Sequence, residues 1–394
     1  MISVTEALDR LFALSSPLPA EDVPLIRASG RVLAQAITAR RDQPPFAASA
    51  MDGYAVRGAD LSPGAVFDVI GEAAAGSGFT GQVGPSQAVR IFTGAPVPQG
   101  ADRVVIQEDV TREATRITVT GDYGEGTNIR PAGGDFRIGD RIEAPRLISP
   151  SDVALMAAMN IPQVPVTRRP RVAVIATGDE LVQPGETPGP DQIVASNSYG
   201  LQALFIAAGA EVRLLPIARD RIDSLETIFA LTQDGPAPAD LIVTIGGASV
   251  GDHDLVARAA QGIGMEQSFY KVAMRPGKPL MAGRLGDAVM IGLPGNPVSA
   301  MVCGHLFVVP VLRHMLGLGA APAPRLRGVL AADVAANGPR EHYMRAHITP
   351  EGILADARQD SALLSVLSGS GALLVRPPHA PAAKAGDAVD YLPL

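Results

Sequence analysis

The chain has no tryptophan, one cysteine and only 4% aromatic residues among its 394 positions. A lone cysteine, Cys303, forms no internal disulfide and builds no cysteine-based zinc or iron–sulfur site, and a reducing compartment fits. Long apolar runs are missing too. None approaches the roughly 18–20 residues that cross a bilayer, and the run near Val302–Leu312 is broken by His305 and Pro310. Met1–Ala13 carries Glu6 and Asp9 and lacks a basic segment ahead of an apolar core, which is not a signal-peptide pattern. These features point to the cytoplasm and away from the membrane. An excess of positive charge is absent as well: the formal net charge of −7 argues against broad nucleic-acid binding. An anionic ligand therefore needs a local positive pocket set against the global field. The sequence contains no Gly-Lys-Ser/Thr phosphate loop.

What is present is the composition of a folded protein, 47% hydrophobic and 19% charged, with 42 Gly and 34 Pro scattered as turns. The length allows two to four units at roughly 100–200 residues each. Val4, Ala7, Leu8, Leu11 and Leu14 recur at helical spacing, with Ser3 or Thr5 as cap. Residues from about 50 to 145 read as short strands: Tyr54–Arg57, Val66–Ile70, Ala88–Phe92, Arg103–Val110 and Arg116–Val119. Ser151–Met159 returns to helical spacing.

Past Arg168-Arg169-Pro170 the pattern changes. Arg171–Thr177 and Asp240–Ile245 are continuous apolar runs, as buried parallel strands are, and Glu211–Ile217 joins them. Between and after them Ser198–Ala208, Ile222–Thr232, His253–Gly262 and Val298–Leu316 read as helices. Phe269–Met274, Leu280–Ala282 and Ala288–Leu293 read as further strands. The alternation predicts a doubly wound α/β domain with its ligand at the carboxyl ends of the strands. A Pro/Ala linker, Ala320–Arg325, leads to short strands and turns to the end of the chain.

The segments that carry chemistry lie where strands hand over to helices. In Thr244-Ile-Gly-Gly-Ala-Ser-Val-Gly-Asp-His-Asp254, Gly246, Gly247 and Gly251 free backbone N–H groups for an anion, Ser249 adds a donor, and Asp252 and Asp254 set carboxylates beside it. Carboxylates next to a phosphate cradle make sense when Mg²⁺ bridges them; a Gly-rich turn with an Asp helix cap is the competing reading. Ala176-Thr-Gly-Asp-Glu-Leu181 places Asp179 and Glu180 at the same sheet edge. Met274-Arg-Pro-Gly-Lys-Pro279, with Lys271 upstream, concentrates Lys271, Arg275 and Lys278 in an acidic protein and suits an oxyanion, against a solvated basic turn. Leu293-Pro-Gly-Asn-Pro-Val-Ser299 precedes a helix N-terminus that can receive an anion; Ser299 is equally a cap. Ser49-Ala-Met-Asp-Gly-Tyr-Ala-Val56, Phe92-Thr-Gly-Ala-Pro96 and Asn128-Ile-Arg-Pro131 are ordinary turns when read alone. Gly76-Ser-Gly-Phe-Thr-Gly81 matches a dinucleotide glycine pattern but has no strand–helix unit around it, and His342 and His347 lack a third ligand nearby.

Together, in this order, these segments resemble the MoeA family of molybdopterin molybdotransferases, which includes the E domain of gephyrin. The resemblance runs from about Val4 to Leu394 and is most specific in Ser49–Arg57, Thr93–Pro98, Thr177–Leu181, Gly246–Asp254, Arg275–Pro279 and Pro294–Ala300. The α/β part is also similar to the smaller MoaB/Mog proteins. Ala47-Ala48 stand where the family has a polar pair, and Arg275 where many relatives have Lys.

The resemblance implies an elongated N-terminal region (1–44 and 145–168), an inserted β-rich domain (45–144), a Mog-like α/β domain (169–318) and a small C-terminal β domain (325–394). It implies a homodimer whose sites lie between chains, with Asp52, Thr93, Arg130 and Asp135 reaching the partner's acidic pocket, and contact with a Mog-type adenylyltransferase. It also implies a reaction in which adenylylated molybdopterin and molybdate yield molybdenum cofactor and AMP. In that reading Glu180 and Asp254 hold Mg²⁺, with Asp220 and Asp252 beside them. Lys271, Arg275, Lys278 and Ser249 hold oxyanions, and Asp52 orients or activates water. Thr93, Arg130, Asp135, Gly246, Gly247, Pro294, Asn296 and Pro297 contact substrate; Ser361 and Ser365 are further contacts. The rival activities are adenylylation by the Mog-like part alone and a scaffold role. The N-terminal motifs argue against the first, and intact Asp52, Glu180, Asp254 and Lys278 against the second.

Overall fold

The computed structural model describes residues 1–233, 237–247 and 255–394. The chain passes twice through its first sheet. Ala20–Pro24, Gln163–Thr167, Val32–Leu33 and Arg146–Leu147 lie side by side in that order, so residues on either side of a long excursion pair antiparallel. Ile37, Ile142, Ile148, Met156, Val164 and Val166 fill the core beneath. The helix Pro150–Ala158 is fixed by a capping box in which Ser149 and Asp152 satisfy each other's backbone N–H groups.

The excursion forms a six-stranded sheet in the order Arg103–Ile106, Gly53–Val56, Gln87–Ile91, Val66–Ala73, Arg116–Val119 and Val110–Glu113. Side chains alternate across it, with Tyr54, Val56, Phe67 and Ile117 filling one face and Ala55, Val89, Ile91 and Val104 the other. Gly53 is required by its neighbour: a Cβ there would lie 2.0 Å from the Val105 carbonyl oxygen. Gly53→Ala is expected to cost about 3 kcal/mol, the upper end of the overpacking range. Chemical denaturation followed by a probe in this sheet checks it, and an unchanged midpoint would refute the steric argument. The Gly76–Gly81 segment is a loop closed on Phe79, whose ring lies against Gly71 and Gly81, and no helix follows it.

The α/β sheet runs Glu211–Leu214, Arg171–Ala176, Leu241–Ile245, Ala288–Leu293, Met281–Leu285, Glu266–Tyr270. The first four strands are parallel and the last two antiparallel. Both faces are covered. Val172, Val174 and Val243 point toward the helices Asn197–Ala207 and Pro297–Met315, and Ala173, Ile175 and Ile242 toward Ile222–Gln233 and Leu255–Gly262. Val4, Ala7, Leu8 and Leu11 of the N-terminal helix, capped by Ser3, bury in the first of these cores, so that helix lies on the α/β domain. The Arg168 guanidinium grips both oxygens of Asp240 at 2.9 and 2.8 Å where the α/β domain begins.

Three expectations need correction. Arg103–Val110 is not one strand: it ends at Ile106, Gln107–Asp109 form a 3-10 turn, and Val110 opens the strand at the opposite edge of the sheet. Phe269–Met274 is not one strand: Lys271 adopts a left-handed φ of 77° and turns the chain out of the sheet, and Met274–Arg275 pairs instead with Glu341–Thr349 of the C-terminal sheet. The helix Pro297–Met315 is interrupted by a π turn over Gly304–Val308. By length and composition it is long and apolar enough to cross a bilayer, but 72% of it is buried inside the molecule as a core helix. The C-terminal sheet, ordered Met274–Arg275, Glu341–Thr349, Ala372–Arg376, Ala388–Pro393 and Leu326–Val329, turns Tyr343, Leu373 and Val375 onto the α/β core.

Candidate active site

Because the four parallel strands share a direction, the turns that follow them share an edge. A cleft of about 870 Å³ opens there, lined by Thr177, Gly178, Glu180, Ser198, Asp220, Gly246, Gly247, Pro294, Asn296, Pro297 and, from the C-terminal domain, Ala362. The acidic loop is braced from within. Asp179 Oδ1 accepts the Asp220 backbone N–H at 3.3 Å, and the Asp179 carbonyl accepts from the Arg219 guanidinium at 3.1 Å. Asp179 is therefore a strut joining two strand-end turns, and Glu180 and Asp220 are the carboxylates left facing the cleft. The Glu180 carboxylate folds over Gly178, whose φ is 146°; a Cβ on Gly178 would lie 2.3 Å from Glu180 Oε2.

The glycines of the next turn divide their work differently from expectation. Gly246 donates its N–H to the Leu293 carbonyl at 3.1 Å, so this amide does not face a ligand. Its φ of 90° and a would-be Cβ 2.9 Å from the Thr177 carbonyl show that close packing of strand ends requires it. Gly247, at φ 68°, lies against Val256 and lines the cleft. Ser249, Asp252 and Asp254 lie outside the described residues.

On the opposite wall Asn197 Nδ2 donates to the Gly295 carbonyl at 2.7 Å and Asn296 Nδ2 to Ser361 Oγ at 3.0 Å. Val298 N–H adds a bond to the Ser361 carbonyl. The Pro294–Pro297 turn is thereby clamped between the helix Asn197–Ala207 and the C-terminal domain, so Ser361 acts as a brace for Asn296. Ser365 lies in the short helix Leu364–Gly369.

The cations do not gather as one cluster. Lys271 Nζ rests 5.0 Å from the centroid of the Tyr270 ring, and among the described residues none of Lys271, Arg275 and Lys278 lines the cleft, although Pro279 does. Arg275 is exposed, and the Lys278 carbonyl accepts from Val272 N–H. A further cation, missed by sequence reading, is Arg345. It is fully buried; its Nη2 donates to the Asp360 carbonyl at 2.9 Å, while Nε and Nη1 have no hydrogen-bond partner in the chain. Burial lowers its pKa, Asp356 and Asp360 oppose this, and the charge of Arg275 adds to the lowering. A buried guanidinium with two unused donors beside a second cation is costly unless an anion completes it. The only sequence signal was an arginine occupying the inward phase of Glu341–Thr349, in step with buried Tyr343.

Asp52 and Thr93 are brought together by register. Gly53 pairs with Ile91, so the residues just beyond these strand ends meet. Asp52 Oδ1 accepts from Thr93 N–H at 2.7 Å and Thr93 Oγ1 at 2.8 Å. These two bonds, backbone first, and the nearby Arg90 guanidinium hold the carboxyl below its ordinary range against a smaller opposing effect of burial. Arg90 is itself fixed 4.9 Å from the centroids of both Tyr54 and Phe92. Arg130 is exposed on the short pair with Ala48–Ser49, and exposed Asp135 is held through its N–H to the Gln43 carbonyl. Among the described residues, none of Asp52, Thr93, Arg130 and Asp135 lines the cleft of its own chain.

No group of three or more His, Cys, Asp or Glu is placed to hold a metal ion among the described residues. His342 is buried and His347 stands 3.6 Å from Asp356, so the two do not form a centre. Glu180 and Asp220 both line the cleft, and magnesium asks for only one or two protein carboxylates when phosphate oxygens and water complete its octahedron.

Comparison with known proteins agrees over the whole length. Residues 2–160 match the MoeA N-terminal region (domains I and II), 173–314 a probable molybdopterin-binding domain, and 327–394 the MoeA C-terminal region (domain IV). A molybdopterin molybdenumtransferase from Nostoc sp. is 37% identical, with 84% of this chain and 78% of the relative covered. One from Staphylococcus aureus is 31% identical, covering 99% and 95%. The crystal structure of a molybdopterin biosynthesis MoeA protein from Pyrococcus horikoshii superposes with a TM-score of 0.84 at 27% identity, covering 100% of both chains.

Proposed function

Because this chain belongs to the MoeA family of molybdopterin molybdenumtransferases, a transferase family of molybdenum-cofactor biosynthesis, we propose that it inserts molybdate into adenylylated molybdopterin and releases AMP. The observation that carries the reading is the carboxylate-lined cleft at the carboxyl ends of the parallel strands, to which the C-terminal sheet adds the buried, incompletely bonded Arg345. A phosphorylated ligand suits the first and a tetrahedral oxyanion the second.

The nucleotide phosphates enter over Gly247 and the turn Pro294–Pro297, whose helix N-terminus favours negative charge. Glu180, with Asp254 from the segment outside the described residues, would hold Mg²⁺, which when bound neutralises charge developing on the leaving phosphate. In this reading Asp220 and, from the same segment as Asp254 outside the described residues, Asp252 belong to the acidic set, and Ser249 supplies a phosphate donor. In this reading Arg345, with its unused donors, contacts molybdate and Arg275 and Lys278 add positive charge; stacked on Tyr270, Lys271 contributes at longer range. Water cleaves the phosphoanhydride to AMP and the molybdopterin phosphate, and the two dithiolene sulfurs replace one oxo group of molybdate, which leaves as water with the two thiol protons, so molybdenum keeps its oxidation state.

The bonds from Thr93 favour the ionised form of Asp52, which does not line its own chain's cleft. The reading therefore assigns Asp52, Thr93, Arg130 and Asp135 to the site of a second copy in a homodimer, where Asp52 orients or activates water. The protein works in the cytoplasm and receives its substrate from a Mog-type adenylyltransferase.

The test is complementation. Purified protein is given adenylylated molybdopterin, Mg²⁺ and molybdate, and AMP is measured. Asp52→Ala and Glu180→Gln are each inactive alone; mixed under conditions of subunit exchange they recover about a quarter of wild-type activity, as a site shared across a twofold requires. No recovery sinks the shared site. If AMP is never released but ATP and molybdopterin give the adenylylated compound, the chain is an adenylyltransferase.

A further inference from the structure

Cys303 takes no part in the chemistry above, yet it sits directly beneath the loop that carries Arg275 and Lys278. It is fully buried, and its Sγ lies 3.9 Å from the Gly277 carbonyl oxygen. Gly277, at φ 106°, has the left-handed backbone that favours glycine. A Cβ there would meet Cys303 Sγ at 2.5 Å and the Met274 Cε and Sδ at 3.3 and 3.4 Å, so the loop packs against these two side chains with no room for a side chain of its own at Gly277. On the loop's other side, Val272 N–H donates to the Lys278 carbonyl and Lys271 N–H to the Leu280 carbonyl, each at 3.0 Å. The loop cannot settle lower because of the sulfurs, nor rise without losing these bonds.

The helix carrying Cys303 starts at the cleft. Its preceding turn contributes Asn296 and Pro297 to the lining, and Cys303 is its last residue before the π turn. One short element thus supports both the phosphate-facing turn and the cationic loop. Burial pushes the thiol well above its ordinary pKa, which leaves Cys303 a neutral spacer.

We propose that Cys303 is a positioning residue whose side-chain volume sets the height of the Arg275–Pro279 loop and thereby the affinity of the site for its tetrahedral oxyanion. This rests on the assignment of that loop to molybdate. A residue of equal or smaller volume leaves the seat usable, whereas a larger one lifts Gly277 and displaces the cations by about an ångström. Displacements of that size cost up to about a hundredfold where charged groups must meet a ligand.

The experiment compares Cys303→Ser, Cys303→Ala and Cys303→Leu in the full chain, with Cys303→Val as the milder enlargement where leucine prevents folding. Molybdate binding is measured by equilibrium dialysis, adenylylated-molybdopterin binding separately, and hydrogen exchange at the amides of Lys271 and Val272 reports the seat of the loop. Serine and alanine should hold molybdate affinity within about threefold of wild type. Leucine or valine should weaken it at least about tenfold, leave nucleotide binding intact and speed exchange at both amides. Wild-type molybdate affinity in a folded, enlarged variant overturns the proposal. Should the wild type bind no molybdate, the oxyanion assignment fails. The positioning role is then decided by exchange alone: faster exchange only in the enlarged variants sustains it, and unchanged exchange refutes it.

Discussion

Replacing Gly178 by alanine is expected to cut AMP release by about a hundredfold or more, the size of effect seen when one charge-stabilising group is removed from an active site, in a protein that still folds. The added methyl would stand 2.3 Å from Glu180 Oε2 and 2.7 Å from Oε1, so the carboxylate must leave the position it occupies. The backbone at φ 146° adds strain of about 1–3 kcal/mol, which is small against the roughly 5–15 kcal/mol that holds a typical domain together. Activity is thus lost long before the fold is. Glu180→Gln should reach the same residual rate by removing the charge. The double variant should be no worse than either alone, because both changes remove one interaction and coupled effects do not add. Single-turnover AMP release with melting curves alongside tests this. A Gly178→Ala protein with near-normal turnover would show that Glu180 works from another position, and with it the carboxylate assignment would fall.

How much of this was legible in sequence follows from the physics of each element. Arg171–Ala176 and Leu241–Ile245 are buried on both faces and therefore continuously apolar, so they read directly as parallel strands. Phe269–Met274 misled because apolar character does not report φ; the left-handed turn at Lys271, an unusual residue there, sends Met274 and Arg275 to another sheet. The glycine-rich turn was legible as a site, but not the division of labour within it. Whether Gly246 offers its N–H to a ligand depends on Leu293, far along the chain, which takes that N–H instead. Asp179 and Glu180 are neighbours of the same chemical type, and only the bond from Asp220 N–H separates strut from cleft carboxylate. Asp52 and Thr93 were found through resemblance; their contact depends on the pairing of Gly53 with Ile91, and local spacing does not encode that. Arg345 left almost no trace, since one arginine in an alternating strand reads as an outward-facing residue until the packing of its sheet is known.

Arg345 also yields the second large effect, because its consequences for folding and for ligand binding run in opposite directions. Arg345→Met removes a buried cation whose Nε and Nη1 have no partner in the chain. Exchanging a poorly compensated buried charge for an apolar side chain of similar volume is often neutral, or stabilising by about 1–4 kcal/mol. Against this stands the loss of the bond to the Asp360 carbonyl, worth about 1 kcal/mol. The variant should therefore melt at or slightly above the wild-type temperature when no oxyanion is added. With molybdate the order reverses. At a concentration of about a hundred dissociation constants, a ligand bound only by the folded state adds about 2.7 kcal/mol. Wild type should gain that stabilisation and Arg345→Met should gain none, while its KM for molybdate rises by about a hundredfold, as expected when the main charged contact to an oxyanion is lost. Melting curves in molybdate against the same ionic strength of chloride separate specific binding from screening. A variant that melts lower without molybdate yet keeps its molybdate shift would make Arg345 a structural residue and leave the oxyanion to Arg275 and Lys278.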